Sequence, residues 1–285
     1  VKLNKPENLV KAESHTIDAV AIVTHLSHAV VKTNLAGGEQ GLDVLVAAAK
    51  TPADRKSVFL LLMQMADIKA GTDKNTARLL ADYIARKSGI KDEDLSAFVL
   101  MAREEKRFRG AMEQKRLAEQ TGNLGVYRTA MEALKYSKDK FAAVQRIAEN
   151  DPIRKDPETA LRAAHWQMVI NLVMTESGDA AKLADIQQRA AAALTKIPTI
   201  DDPDKQQEMT ARLEAVQYEA VARQAMLTGN QGEMEAARAK FQEIASNTSY
   251  QKTEGKVHDS ELHVRAQLWV ESLSLILKSR PGETG

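Results

Sequence analysis

Apolar residues recur every three or four positions along most of this chain, and short breaks containing Gly, Pro or Asn separate the amphipathic segments. This spacing predicts α-helices, because positions i, i+3, i+4 and i+7 lie on one helix face. No segment has the alternating β-branched residues that indicate a strand, and aromatic residues make up only 4% of the chain. We therefore predict an all-α fold.

The breaks define the domain organisation that the sequence predicts. Pro157 follows Asp156 and is suited to the first turn of a helix. The 285 residues are predicted to form a single elongated helical domain over 1–285, with approximate repeat units at 92–149 and 205–246. Predicted helices cover about 7–34, 42–49, 51–70, 74–87, 92–120, 126–149, 157–176, 180–196, 205–227, 233–246 and 257–278, and 197–204 is predicted to be a loop.

A short motif occurs twice in the sequence. The pattern A-x-x-T-G-N-x-G stands at 118–125 and again at 225–232. In both copies an Ala and then a large apolar residue follow at matching offsets. Two interpretations stay open: Thr-Gly-Asn is a common helix stop that occurs twice by chance, or the copies belong to two related modules.

The charge balance and the missing cysteines exclude several classes of protein. Forty basic and thirty-nine acidic residues give a net charge of +1, too weak a field to gather nucleic acid or an anionic membrane. The lack of Cys excludes disulfides, thiol catalysis, iron–sulfur clusters and thiolate zinc sites. The longest apolar stretches, such as 58–63, are far shorter than the roughly 20 residues that cross a bilayer. We expect no nucleic-acid partner, and membrane contact only through flanking segments.

The sequence contains none of the common catalytic or metal-binding motifs, so we expect neither an enzyme nor a cofactor. The sequence lacks the phosphate-binding and dinucleotide-binding glycine motifs, the G-x-S-x-G elbow and the H-E-x-x-H zinc motif. His25 and His28 have the i, i+3 spacing of a metal pair, but they lie away from the apolar stripe of their helix. We interpret them as solvated surface histidines. No catalytic residue and no metal site is therefore expected.

One acidic residue lies on an apolar stripe. Glu105 follows the helical spacing of its apolar neighbours, so its carboxylate is predicted to point inward. A buried carboxylate must find partners. It either pairs with a basic side chain of a facing helix or lies beside a site that binds a cation. The apolar residues of this stripe are Phe98, Met101, Phe108 and Met112.

His165 and the arginines near Glu105 complete the candidate site. His165 falls in a row with Leu161, Met168 and Leu172, so it is either a hydrogen-bonded core histidine or a donor to a ligand between helices. Most of the nearby arginines should be solvated, but one could reach an anionic ligand across the bundle. The candidate ligand-binding residues are Arg103, Glu105, Arg107 and His165.

Two segments resemble the periplasmic sensor modules of bacterial chemoreceptors and related membrane-anchored signalling proteins. Residues 103–108, with the sequence R-E-E-K-R-F, are similar to the R-x-E-K-x-F pattern of the helical bimodular type. Residues 223–230, with the sequence R-Q-A-M-L-T-G-N, resemble the Y-L-L-T-G-D/N turn of the four-helix type.

The resemblance implies an extracytoplasmic ligand-sensing domain of a chemoreceptor-like signalling protein, at the periplasmic face of the inner membrane. It implies an elongated helical bundle of two stacked four-helix modules. It also implies a small ligand such as an organic acid or amino acid bound between helices, and a homodimer formed through the first helix. The residues also leave open a soluble helical-repeat scaffold or adaptor for protein–protein interaction, similar to tetratricopeptide proteins and either cytoplasmic or secreted. An unrecognised helical enzyme is the third alternative.

Overall fold

The computed structural model describes residues 36–49, 52–70, 73–90, 95–150, 156–175, 179–247 and 260–279. Ten α-helices account for nearly all of these residues, and no β-strand occurs in these ranges. The prediction of an all-α fold is therefore confirmed. By packing, the chain divides into two compact units, Val1–Arg103 and Glu104–Gly285. The single elongated domain over 1–285 stays a prediction.

Three of the described helices lie wholly in the first unit. Asp73 begins the third of them, because its carboxylate accepts a hydrogen bond from the backbone N–H of Thr76 at 3.1 Å. The Thr76 hydroxyl donates to the same carboxylate at 2.6 Å. The helices are α1 (Gly38–Ala48), α2 (Pro52–Ala70) and α3 (Lys74–Lys87).

Two aromatic side chains connect the three helices of the first unit: their rings stack between α2 and α3, and the hydroxyl of one bonds α1. Phe59 of α2 stacks on Tyr83 of α3, with 6.2 Å between the ring centroids. The Tyr83 hydroxyl donates to the Asp43 carboxylate of α1 at 2.9 Å. Burial, reinforced by this carboxylate, raises the pKa of Tyr83, so the phenol stays protonated.

The second unit contains most of the described helices. The helix α4 begins in the first unit, and its residues from Glu104 onward belong to the second. A short 3-10 helix, Ile197–Thr199, lies within the predicted loop. The helices are α4 (Ala97–Thr121), α5 (Leu124–Asn150), α6 (Pro157–Met174), α7 (Ala180–Leu194), α8 (Pro203–Thr228), α9 (Gln231–Ser246) and α10 (Ser260–Ser279).

Two helices of this unit, α6 and α8, begin in the same way. The Asp156 carboxylate accepts from the backbone N–H three residues on at 3.0 Å, with Pro157 at the first helical position. The Asp202 carboxylate accepts from two following N–H groups at 3.0 and 3.4 Å, with Pro203 in the same place. Each Asp satisfies N–H groups that lack a partner at a helix start, and Pro supplies a preset φ.

The repeated Thr-Gly-Asn motif makes the same turn twice. Gly122 and Gly229 take positive φ angles of 67° and 75°, which Gly adopts without strain. The N–H groups of Asn123 and Asn230 donate to a carbonyl five residues earlier, each at 3.0 Å. The Asn side chains then cap α5 and α9, accepting backbone N–H groups at 3.1 and 3.2 Å. Each motif therefore specifies a helical hairpin.

The helices of the second unit pack as successive hairpins. The helix α6 packs against α5, α7 and α8, while α8 packs against α6, α7, α9 and α10. The pairs α4/α5, α6/α7 and α8/α9 form three hairpins, and α10 packs on the last of them. Contacts between neighbouring hairpins are typical of helical-repeat proteins.

Most predicted helix bounds agree with the structure. The bounds of α4–α10 lie within five residues of the predicted ones. The helix α1 begins at Gly38, four residues before its predicted start at 42. The predicted helix over 7–34, together with His25 and His28, lies outside the described residues.

Candidate functional site

The carboxylate of Glu105 bonds two side chains of α6. Its Oε1 accepts from Arg162 Nη2 at 2.6 Å and from Trp166 Nε1 at 2.9 Å. Glu105 is only 7% exposed. The Trp166 ring lies 4.8 Å from the Phe108 ring and stacks on Phe141 at 6.4 Å. Of the two interpretations of Glu105, pairing with a basic side chain of a facing helix is the one observed.

Electrostatics keep this pair ionised. Burial by itself raises the pKa of Glu105, but the Arg162 charge and the bonds from Trp166 and Arg162 outweigh it, so the pKa lies below the ordinary value. The Glu105 carboxylate in turn raises the pKa of Arg162. We call Glu105, Arg162, Trp166 and Phe141 the first Glu–Trp node. A ligand-binding role for Glu105 stays a prediction.

The two candidate arginines lie on α4. Arg107 Nη1 donates to Glu104 Oε1 at 3.0 Å, and Glu104 is fully buried. The Arg107 guanidinium lies 5.5 Å from the centre of the Tyr136 ring on α5, close enough for a cation–π contact. Arg103 is partly buried. The contacts of Arg107 stabilise the α4/α5 hairpin, and ligand binding by either arginine stays a prediction.

His165 lies buried on α6 beside the first Glu–Trp node. Its ring meets the Trp166 ring edge-on, with 4.9 Å between centroids. Burial, and then the positive charges of Arg212, Arg265 and Arg162, lower the pKa of His165 well below its ordinary value. The imidazole is therefore neutral near pH 7. A role for His165 as a ligand donor stays a prediction.

An equivalent node lies on α8, α9 and α10, and sequence reasoning missed it. Glu219 is 2% exposed, and its Oε2 accepts from Arg265 Nε at 2.9 Å and from Trp269 Nε1 at 3.2 Å. Its Oε1 accepts from Arg223 Nη2 at 2.6 Å. Trp269 stacks on Phe241 at 5.7 Å. We call Glu219, Arg265, Trp269 and Phe241 the second Glu–Trp node.

A sequence signal for the two nodes exists. The pattern R-A-x-x-W occurs at 162–166 and at 265–269. Because the Arg and the Trp are one helical turn apart, both side chains reach the same carboxylate from one helix face. With the repeated turn, this second pattern favours two related modules over a chance repeat of the helix stop.

When the two R-A-x-x-W patterns are aligned, α6 and α10 differ in the burial of one row of side chains. A row of three residues is buried in α6, but the matching row of α10 is exposed by 50%, 58% and 68%. The row is Leu161, His165 and Leu172 in α6, and Val264, Leu268 and Leu275 in α10. We call these three residues of α10 the α10 row.

A cavity of about 600 Å³, which we call the α6 cavity, lies between α5, α6 and α7. One face of α6 lines it together with residues of α5 and α7. Small side chains leave this space open, because alanine fills little of the distance between neighbouring helices. The apolar floor consists mainly of Ala148, Ala160, Leu161, Ala164 and Met168.

A continuous chain of hydrogen bonds follows the rim of the α6 cavity. Arg189 donates to Gln167 Oε1 at 3.2 Å, and Gln167 donates to Gln145 Oε1 at 2.8 Å. Gln145 donates to Glu149 Oε1 at 3.1 Å, and Lys196 donates to the same oxygen at 3.2 Å. These bonds join α5, α6 and α7 and fix the polar rim.

Comparisons with protein-family models, with curated proteins and with solved structures find no match to this chain. The likeness to chemoreceptor sensor modules therefore rests on the two short segments quoted above. Within the described ranges, no cluster of three or more His, Asp or Glu side chains could hold a metal ion. In the same ranges, no helix combines the length and the apolar character that crossing a membrane requires.

Proposed function

We propose that the second unit is a scaffold for protein–protein interaction that binds an amphipathic helix of another chain on α10. The observation that supports this proposal is the exposed α10 row. The matching row of α6 is buried, and α6 packs against both α7 and α8. By analogy, a helix supplied by a partner covers the α10 row and extends the stack of hairpins.

The arrangement of the α10 row distinguishes it from ordinary surface residues. Single exposed apolar side chains are common and need no explanation. Val264, Leu268 and Leu275, however, are spaced to lie on one helix face and repeat a buried pattern. Exposed apolar residues that share one helix face in this way are typical of an interaction surface.

One difference between matching positions of α6 and α10 indicates the chemistry of the partner. Where α6 has the buried Met168, α10 has the exposed Glu271. The partner helix should therefore carry an apolar row with a Lys or Arg opposite Glu271. That charge pair would set the register of the helix, while burial of the apolar row would supply most of the affinity.

Site-specific crosslinking tests the proposal. A photoreactive residue at Gln267, beside the row on the exposed face of α10, is expected to crosslink a helical segment of a second protein in cells that express this chain. The double variant Leu268→Glu/Leu275→Glu should abolish the adduct. Its fold should persist, because exposed substitutions change the free energy of unfolding by only about 0.5 kcal/mol.

Leu117→Glu/Leu124→Glu is the matched control, since both leucines are exposed at the α4–α5 turn. It should crosslink like the parent chain. The proposal fails if no adduct forms, if the α10 double variant still forms it, or if the adduct joins two copies of this chain.

The second candidate function is the ligand-sensing domain of a membrane-anchored protein. The α6 cavity favours it, because the sensor hypothesis needs a small-molecule site between helices. The parent reading frame should then carry hydrophobic segments of about 20 residues on both sides of the chain. A reading frame without them would reject the sensor and leave the scaffold standing.

A further inference from the structure

The groove that corresponds to the α6 cavity in the next hairpin has a polar floor. It lies between the 3-10 helix, α8 and α9, and its volume is about 360 Å³. Residues of the two floors can be matched by counting from Pro157 and Pro203, which lie at the start of α6 and of α8. Ala160, Leu161, Ala164 and Met168 of α6 correspond to Gln206, Gln207, Thr210 and Glu214 of α8.

The floors of the α6 cavity and of the groove on α8 differ in polarity, although both lie between packed helices. Because the groove on α8 contains amide, hydroxyl and carboxylate groups, stacking of hairpins does not require an apolar floor at this place. The apolar side chains around the α6 cavity, which also pack within the unit, present a surface that suits an apolar guest. Its volume lies in the range of about 300–1,000 Å³ that is usual for small-molecule sites.

The rim of the cavity carries more positive than negative charge. Arg189 and Lys196 line it together with Glu149. Burial alone would raise the pKa of Glu149, but bonds from Gln145 and Lys196 lower it below the ordinary value, so this carboxylate is ionised. It neutralises Lys196, to which it is bonded at 3.2 Å.

Arg189 is the cation best placed to meet a ligand. Gln167, itself buried, accepts from its Nη2 and holds the guanidinium at the cavity. The Nη1 atom lies 4.0 Å from Oδ2 of the exposed Asp185, which is a long contact for an ion pair. A guanidinium fixed in this way can still donate to a carboxylate, and a charge-assisted bond of that kind is strong.

We propose that the α6 cavity binds a monocarboxylate with an aliphatic body. The hydrocarbon lies on the floor around Ala164 and Met168, and the carboxylate accepts from Arg189. Burial of the chain supplies affinity in proportion to its apolar area, while the guanidinium selects an anion over a cation or a neutral head group. This site does not depend on the scaffold function of α10.

Calorimetry with octanoate at pH 7 tests the proposal, with butyrate, octanol and octylamine as comparison probes. Octanoate should bind saturably. Butyrate should bind more weakly because it buries less apolar area. Octanol should bind at least about tenfold more weakly because its neutral hydroxyl lacks the charge and the second acceptor oxygen of a carboxylate, and octylamine because its ammonium group at pH 7 accepts no bond from Arg189.

Variants locate the binding in the cavity. Ala164→Phe should fill the floor and abolish octanoate binding, and Arg189→Gln should weaken it about tenfold. Lys182→Gln, which removes an exposed cation of the same helix, should bind like the parent chain. Arg189→Gln keeps the test decisive if Ala164→Phe fails to fold.

Three results would overturn the proposal: no saturable octanoate binding to the parent chain, equal affinity for octanoate and octylamine, or parental affinity in Arg189→Gln. The scaffold variant Leu268→Glu/Leu275→Glu should bind octanoate normally. The two proposals can therefore fail separately.

Discussion

The two Glu–Trp nodes contain the same four residue types but distribute charge and burial differently. Arg162 bonds Glu105 in the first node, whereas both Arg223 and Arg265 bond Glu219 in the second. Trp166 is buried in the first node, but Trp269 is only partly buried. We infer that the second node depends more on its carboxylate and the first more on its indole.

The two nodes also lie at different distances from the glycine of their hairpin turn. Glu105 precedes Gly122 by 17 residues, whereas Glu219 precedes Gly229 by 10. The corresponding Phe residues follow those glycines by 19 and 12 residues. Both differences are seven residues, about two helical turns, which keeps the same helix face. The node has therefore shifted as one unit along the hairpin.

Removal of each carboxylate should give the largest effect and the clearest contrast. Glu219→Gln leaves Arg223 and Arg265 without a neutralising charge, so we expect a loss of about 5 kcal/mol in the free energy of unfolding. Glu105→Gln leaves Arg162 alone, and we expect a loss of about 3 kcal/mol. Urea unfolding followed by tryptophan fluorescence measures both losses.

The surface pair of Glu113 and Arg116 supplies the control, because both side chains are more than half exposed. Glu113→Gln should cost less than about 1 kcal/mol. Equal losses for the two buried glutamates would break the proposed contrast between the nodes.

Removal of each indole N–H should reverse the order. Trp166→Phe removes a 2.9 Å bond to Glu105 in a buried site, and we expect a loss of about 2 kcal/mol. Trp269→Phe removes a 3.2 Å bond to Glu219 in a partly buried site, and we expect about 1 kcal/mol. The chain has two tryptophans, so each variant reports on the other node. A larger loss for Trp269→Phe would contradict the comparison.

The smallest effect should be a loss of stability in acid that comes from His165, beside the first Glu–Trp node. Because the folded-state pKa of His165 is lowered, unfolding takes up a proton below the ordinary pKa of about 6.5, and stability falls as the pH decreases. We expect a loss of about 1 kcal/mol between pH 6.5 and 5.5.

His165→Leu installs the residue type that α10 carries at the matching position, Leu268. This variant should lose the acid sensitivity, because no imidazole then takes up a proton on unfolding. Thermal unfolding at the two pH values measures the change. The prediction fails if the variant and the parent chain respond to acid equally.

Local signals explain how much of the fold was predictable. Asp156-Pro157 and the Thr-Gly-Asn turns carry their own caps, so they fix helix starts and hairpins without help from distant residues. The apolar stripe around Glu105 likewise predicted an inward carboxylate. Its partner Arg162 was not predictable from spacing, because it lies 57 residues away and loops decide which helices face each other.

Other parts of the site lacked a recognisable sequence signal. The α6 cavity depends on alanines from different helices, and scattered alanines indicate only helix. The rim network joins Gln145, Gln167 and Arg189, and each of these residues alone is ordinary on a helix surface. The second Glu–Trp node was predictable in part, because R-A-x-x-W occurs twice in the sequence. The repeated Thr-Gly-Asn turn alone could not predict it, because a chance repeat explains that turn equally well.

The neighbour-to-neighbour packing of the second unit has a mechanical consequence. Since α8 and α9 are the main packing partners of α10 among the described helices, pulling on the C-terminal side should detach it while α6 and α7 stay folded. Extension would then proceed in discrete steps, each about one hairpin long, instead of one sudden rupture.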